Sequence, residues 1–200
     1  MCGDNKYAKK AQATAEQQEA DRRAQIAGTE RALSSVYDGP QRQAQYQDFL
    51  SALRQNYSTD LNRQKLTANR QSKFSLARSG LTGGSTAADT KRQLGEDFSK
   101  GVLNAENRAQ TALGNLRTTD ETTRNNLFQL GVQGADATTT ASRASSGMQS
   151  NLGAQRDLAL GEGLGDVFAN SLKVQEAQRQ AAIKRAEIAA SGINPYQSRI

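Results

Sequence analysis

Apolar residues recur along this chain at helical spacing, and nowhere do they alternate as a pair of β-strands would require. The clearest run is Tyr46, Leu50, Leu53, Tyr57 and Leu61. Steps of three and four residues put all five on one helix face, close to a heptad seam. The pattern predicts a helix over residues 41–78, with Phe49, Leu66, Phe74 and Leu76 widening its apolar face. Residues 5–36 predict an earlier helix with a sparse inward stripe of Tyr7, Ala11, Ala15, Ile26, Leu33 and Val36. Between the two, Tyr37-Asp38-Gly39-Pro40 is a stop and turn signal.

The second helix meets Ser79-Gly80-Leu81-Thr82-Gly83-Gly84, where Gly80 occupies the place of a C-terminal glycine cap. Ser85 or Thr86 can cap the next helix, so an αα-hairpin is expected around residues 79–85. A third helix is expected over 86–130, carrying Leu94, Phe98, Val102, Ala105, Ala109, Ala112, Leu113 and Leu116. Gly95, Gly101 and Gly114 interrupt it, and Thr118–Thr123 reads as a kink or loop of poor helix formers. Residues 131–151 shift to Gly, Ala, Ser and Thr and predict a linker or weak helix, with a helix packed tightly against another through its small residues as the open alternative. A last helix is expected over 152–190, with Leu158, Leu160, Leu164, Val167, Phe168, Leu172 and Val174 as its densest apolar stretch. Ala181, Ile183, Ala186 and Ile188 continue it, and Ser191-Gly192 ends it before an extended tail at 193–196. The segments therefore fall at 1–36, 41–130, 131–151 and 152–200.

Composition sharpens this all-α picture. No proline occurs between Pro40 and Pro195, which suits elongated helices joined by glycine bends. Only 36% of the 200 residues are hydrophobic, and many of those are Ala, which buries little area. So thin a core predicts a chain that buries its stripes against copies of itself or other partners. No signal-peptide core follows Met1-Cys2-Gly3, and synthesis in a cytoplasm is expected. No stretch reaches the roughly 18–20 apolar residues of a simple membrane-spanning helix.

The chemistry-bearing residues are scarce. The chain has no His for acid–base work, its single Cys, Cys2, has no base partner beside it, and no cluster stands at metal-ligand spacing. Gly161, Gly163 and Gly165 follow no strand, and Gly83-Gly84-Ser85-Thr86 lacks a phosphate-loop lysine. No catalytic residue, cofactor or metal is expected, and an enzyme is the least favoured class. The net charge of +6 is unevenly spread. Residues 41–80 hold Arg42, Arg54, Arg63, Lys65, Arg70, Lys73 and Arg78 against only Asp48 and Asp60. Arg54, Arg63, Lys65, Arg70, Lys73 and Arg78 are therefore candidates for contact with DNA phosphates or lipid headgroups; a partner subunit and a merely solvated helix face remain open. Leu158, Leu160, Leu164, Val167, Phe168, Leu172 and Val174 are candidates for a membrane or oligomer face.

Four features together resemble the small internal virion proteins, or ejection proteins, of short-tailed bacteriophages: the Met1-Cys2 start, the Ala/Gln/Arg-rich helices without His or Trp, the small-residue turn within Phe74–Ser85, and the Gly/Ala-rich C-terminal half. The resemblance implies a homo-oligomer stored in the capsid near the portal beside other virion proteins. It also implies release with the genome and assembly, in the host cell envelope and its membrane, of part of a DNA-translocation channel. No catalytic residue can be carried over. Two alternatives stay open, a head–tail connector or tail component retained in the particle, and a helical adaptor that binds another protein.

Overall fold

The computed structural model describes residues 4–190, without the side chains of 4, 5, 182, 186 and 188–190. The expected end of the last helix at Ser191-Gly192, the tail at 193–196, Cys2, and the side chains of Ala186 and Ile188 lie outside the described residues. The chain is all-α: α1 (Asp4–Tyr37), α2 (Pro40–Arg78), α3 (Ser85–Val132), α4 (Ala137–Glu162) and α5 (Ala169–Ala190), with no strand among the described residues.

Local chemistry explains each boundary. Pro40 opens α2, where its missing N–H matters least, and the carbonyl of Gly39 accepts from Arg42 N at 3.0 Å. At the end of α2, Gly80 adopts φ 67°. Leu81 N donates to Leu76 O at 2.9 Å and Gly80 N to Ala77 O at 3.2 Å, the paired bonds of a Schellman cap. Gly134 ends α3 in the same way with φ 107°, Ala135 N donating to Leu130 O at 3.0 Å. Asp136 then caps α4 by accepting from Thr138 N at 2.8 Å and Thr139 N at 3.0 Å. The hydroxyl of Thr139, which donates to Asp136 Oδ2, and then these backbone bonds hold its carboxyl below the usual carboxylate range.

Two expectations are corrected here, and one open alternative is decided. Thr118–Thr123 is continuous helix, held by the buried line Leu116, Asp120 and Leu127 on either side of it; the hydroxyls of Thr118, Thr119, Thr122 and Thr123 are satisfied within it, each donating to the carbonyl four residues earlier at 2.9–3.0 Å. Residues 137–151 are the first part of α4, with Thr140, Ala144 and Met148 turned inward at intervals of four. The expected helix over 152–190 is two helices, because Gly163 and Gly165 take φ 52° and 68° and break it.

The chain packs as two units, Met1–Leu53 with Ala109–Gly161, and Arg54–Arg108 with Glu162–Ile200. In the first, α1, the end of α3 and α4 meet around Leu33, Tyr37, Leu127 and Ala144, with Val36, Phe128 and Leu130 against them. Gly131 lets α3 approach α1 closely; a Cβ there would sit 2.4 Å from Thr29 Cγ2. From residue 6 to 24, α1 is exposed along its whole length apart from a half-buried Glu19, so Tyr7, Ala11 and Ala15 are not inward within the chain. In the second unit, the end of α2, the start of α3 and α5 enclose Leu61, Ala68, Leu94, Leu164 and Phe168. Tyr46, Leu50, Leu53, Tyr57 and Leu61 are all buried, as is Phe49. Leu66 and Phe74 are exposed instead, because beyond Leu61 the inward line passes through Ala68 and Ser72.

Candidate interaction surface

The structure divides the seven basic residues of α2 by what each side chain meets. Arg42 belongs to the interior of the first unit. It donates from Nε to Asp120 Oδ2 at 2.7 Å and from Nη1 to Gln45 Oε1 at 2.8 Å. The six candidates for anion contact all lie in the second unit. Arg54 donates from Nε to Glu106 Oε2 at 2.8 Å, and Lys65 sits 3.8 Å from the centre of the Phe98 ring. Both are occupied in joining α2 to α3.

Arg63, Arg70, Lys73 and Arg78 are exposed and form no ion pair among the described residues. Arg63, Leu66, Arg70 and Lys73 follow steps of three and four residues, which aligns them on one outward seam opposite Leu61, Ala68 and Ser72. The seam spans about 15 Å at 1.5 Å per residue. Two large apolar groups stand among these cations, Leu66 at 61% exposure and Phe74 at 68%. The surface can hold a polyanion electrostatically.

Beside this seam, α2 and α5 bound a groove of about 430 Å³ lined by Gln71, Phe74, Arg78, Leu172, Gln175 and Glu176. A second hollow of about 370 Å³ shares Gln71 and Leu172 with it and reaches Arg63 and Gly165. The turn before α5 is fixed by Gln64, whose Nε2 donates to Gly165 O at 2.8 Å and whose Oε1 accepts from Val167 N at 3.0 Å. Arg108 Nη1 donates to Gly163 O at 2.6 Å. The glycine-rich stretch is therefore an anchored bend, where a glycine-interrupted helix was expected.

The apolar residues expected as one membrane or oligomer face are dispersed by that bend. Leu164 and Phe168 are buried in the second unit, while Val167 and Leu172 are half-buried. Leu158 and Leu160 are exposed near the end of α4, and Val174 is exposed on α5. No described helix is long and apolar enough to cross a membrane. Sequence reasoning missed Gln175 as a groove residue. Its position, four after Ser171 and seven after Phe168, both buried, was the available signal.

The described residues contain no group of three or more His, Cys, Asp or Glu suited to a metal ion. Fold and surface together define an all-α protein with an exposed basic helix face. No family model, curated protein or solved structure matches the chain.

Proposed function

We propose that this chain is a bacteriophage internal virion protein, released with the genome, whose copies form part of an oligomeric DNA-translocation channel across the host cell envelope. The observation that carries the proposal is the set of exposed, unpaired cations on α2: Arg63, Arg70, Lys73 and Arg78. A polyanion moving past such a face meets charge without a sequence-reading pocket, as transit of a whole genome requires. The αα-hairpin of α2 and α3 presents this face, and homo-oligomerisation repeats it around a lumen. Passage through the envelope is a property of the assembly, and other virion proteins near the portal are its neighbours in the particle. The resemblance carried by Met1-Cys2 and Phe74–Ser85 supports the phage context.

The test is quantitative mass spectrometry of purified particles before and after triggered DNA release. The proposal expects the protein in full particles and its loss from emptied ones. Retention at fixed copy number would instead make it a connector or tail component.

A further inference from the structure

Only the last part of α1, residues 25–37, is attached to the rest of the first unit. Residues 6–24 are exposed apart from half-buried Glu19, and Thr29, Leu33 and Tyr37 are the buried anchors. Leu33 and Tyr37 pack with Leu127 of α3 and Ala144 of α4. Gln25 Nε2 donates to Gly134 O at 3.0 Å, and Arg124 Nη2 donates to Ser34 Oγ at 3.2 Å. The hydroxyls of Thr29 and Tyr37 are buried without a hydrogen-bond partner. Both regain water when α1 leaves, which lowers the cost of releasing it. Only Asp38 and Gly39 separate Tyr37, the end of α1, from Pro40, the start of α2. That turn is tight: a Cβ on Gly39 would lie 2.4 Å from the carbonyl oxygen of Ser35. A short, crowded link beside a releasable helix is the arrangement in which copies exchange an element.

We infer that α1 of one copy occupies the α1 site on α3 and α4 of a second copy. This rests on the homo-oligomer reading above and names its contact. The complementarity is that of the chain with itself. A second copy presents the same Leu127 and Ala144 to Leu33 and Tyr37, and the same Gly131 to Thr29. The exchanged form keeps the contacts that seat α1 and differs at residues 38 and 39, where the turn opens. Opening relieves the crowding at Gly39, while joining two chains restricts their freedom, so the balance moves with concentration. Exchanged reciprocally between two copies, α1 closes a dimer; passed on from copy to copy, it links a ring or filament.

One disulfide in the full chain tests this. A Cβ on Gly28 would lie 3.8 Å from Ala137 Cβ, inside the span of about 3.5–4.5 Å that a disulfide bridges. With Cys2→Ser as background, Gly28→Cys combined with Ala137→Cys should link α1 to α4 wherever α1 is seated. Oligomers isolated by size exclusion and then oxidised should run as covalently joined chains on a non-reducing denaturing gel, and dilute monomer as single chains. Gly39→Ala has no room in the closed turn and loses that conflict once the turn opens, so it should tighten self-association roughly tenfold or more. A Gly-Ser-Gly-Ser insertion between Asp38 and Gly39 relaxes the closed turn and should weaken self-association instead. Oligomers whose link stays within one chain overturn the exchange and leave the homo-oligomer reading standing. Monomers at every concentration overturn both. An inserted chain that associates as tightly as the parent also overturns the exchange.

Discussion

Arg42 on α2 and Asp120 on α3 form an ion pair that solvent does not reach, with side chains 0% and 2% exposed. Asp120 Oδ2 also accepts from the Tyr46 hydroxyl at 2.6 Å, and its Oδ1 accepts from Asn151 Nδ2 at 3.1 Å. Three helices are thus tied through one carboxylate. A buried pair contributes little net stability compared with apolar residues of the same shape, but removing one partner strands the other charge. Asp120→Leu is therefore expected to lower unfolding free energy by about 3–5 kcal/mol. Arg42→Met with Asp120→Leu should recover only the part due to the stranded charge, because the Tyr46 hydroxyl and Asn151 Nδ2 still lose their acceptor. Urea denaturation of these two variants and of Arg42→Met alone closes the cycle; losses that simply add would mean that the charges are not coupled.

The glycines of α3 separate into two kinds, and alanine substitution should give opposite signs. At Gly131 a Cβ would lie 2.4 Å from Thr29 Cγ2 and 3.0 Å from Thr29 Cβ, close to α1's backbone. Gly131→Ala is expected to cost about 1–3 kcal/mol through overpacking. At Gly101 the neighbours are Leu61 Cδ1 at 2.7 Å and Val167 Cγ1 at 2.9 Å, side-chain ends that can shift, so Gly101→Ala should destabilise less. Nothing lies within 4 Å of a Cβ at Gly114, and Gly114→Ala should stabilise by about 1 kcal/mol through helix propensity alone. Thermal unfolding of the three variants gives the order directly.

Alkaline pH should open the first unit. Burial, and then the charge of Asp120, pushes the Tyr37 hydroxyl up to about 12, and burial followed by the hydrogen bond to Asp120 raises Tyr46. Burial likewise raises Tyr57 in the second unit. A phenol whose folded pKa lies above its ordinary value near 10 keeps its proton better in the folded chain. Its stabilising contribution is complete below that ordinary value and disappears as pH rises toward about 12 for Tyr37. Loss of helical circular dichroism should therefore coincide with tyrosine ionisation followed by absorbance. Tyr37→Phe removes a buried hydroxyl that has no partner and should shift the transition to higher pH. Ionisation of Tyr37 near its ordinary pKa with helices intact would contradict this account.

The helices were legible wherever large residues recur on one line. Tyr46 to Leu61 announced the inward face of α2 because five bulky groups share it. Arg42 entered the sequence reading only as one of seven basic residues, although it lies four residues before Tyr46 and so extends the same line. Its partner Asp120, four residues after Leu116, extends the buried line of α3 in the same way. A charge on a core line is the signature of a buried pair, but pairing partners 78 residues apart are not visible in one sequence. The outward turn of Leu66 and Phe74 was hidden for the converse reason: the core narrows to Ala68, Ser72 and Ser171, residues too small to mark a face. For α4, Thr140 and Ala144 give so weak an apolar contrast that linker and helix read alike.

If the outer seam of α2 holds DNA, its affinity should depend on salt through three named side chains. Each neutralised phosphate releases counterions and adds about 0.9 to the slope of log K against log salt. Replacing Arg63, Arg70 and Lys73 together by Gln should flatten that slope by about 0.9 for each phosphate no longer neutralised, and weaken binding to unrelated duplexes alike. Arg31, Arg143 and Arg156 are exposed in the first unit, and replacing them by Gln removes the same net charge. That control should lower affinity far less, because unpaired cations aligned on one face act on the same stretch of duplex while scattered ones do not. The measurement is fluorescence anisotropy of a labelled duplex between about 50 and 200 mM salt. Equal slopes in the two triple variants would show that net charge alone governs binding, and the seam would lose its role as the DNA-facing surface.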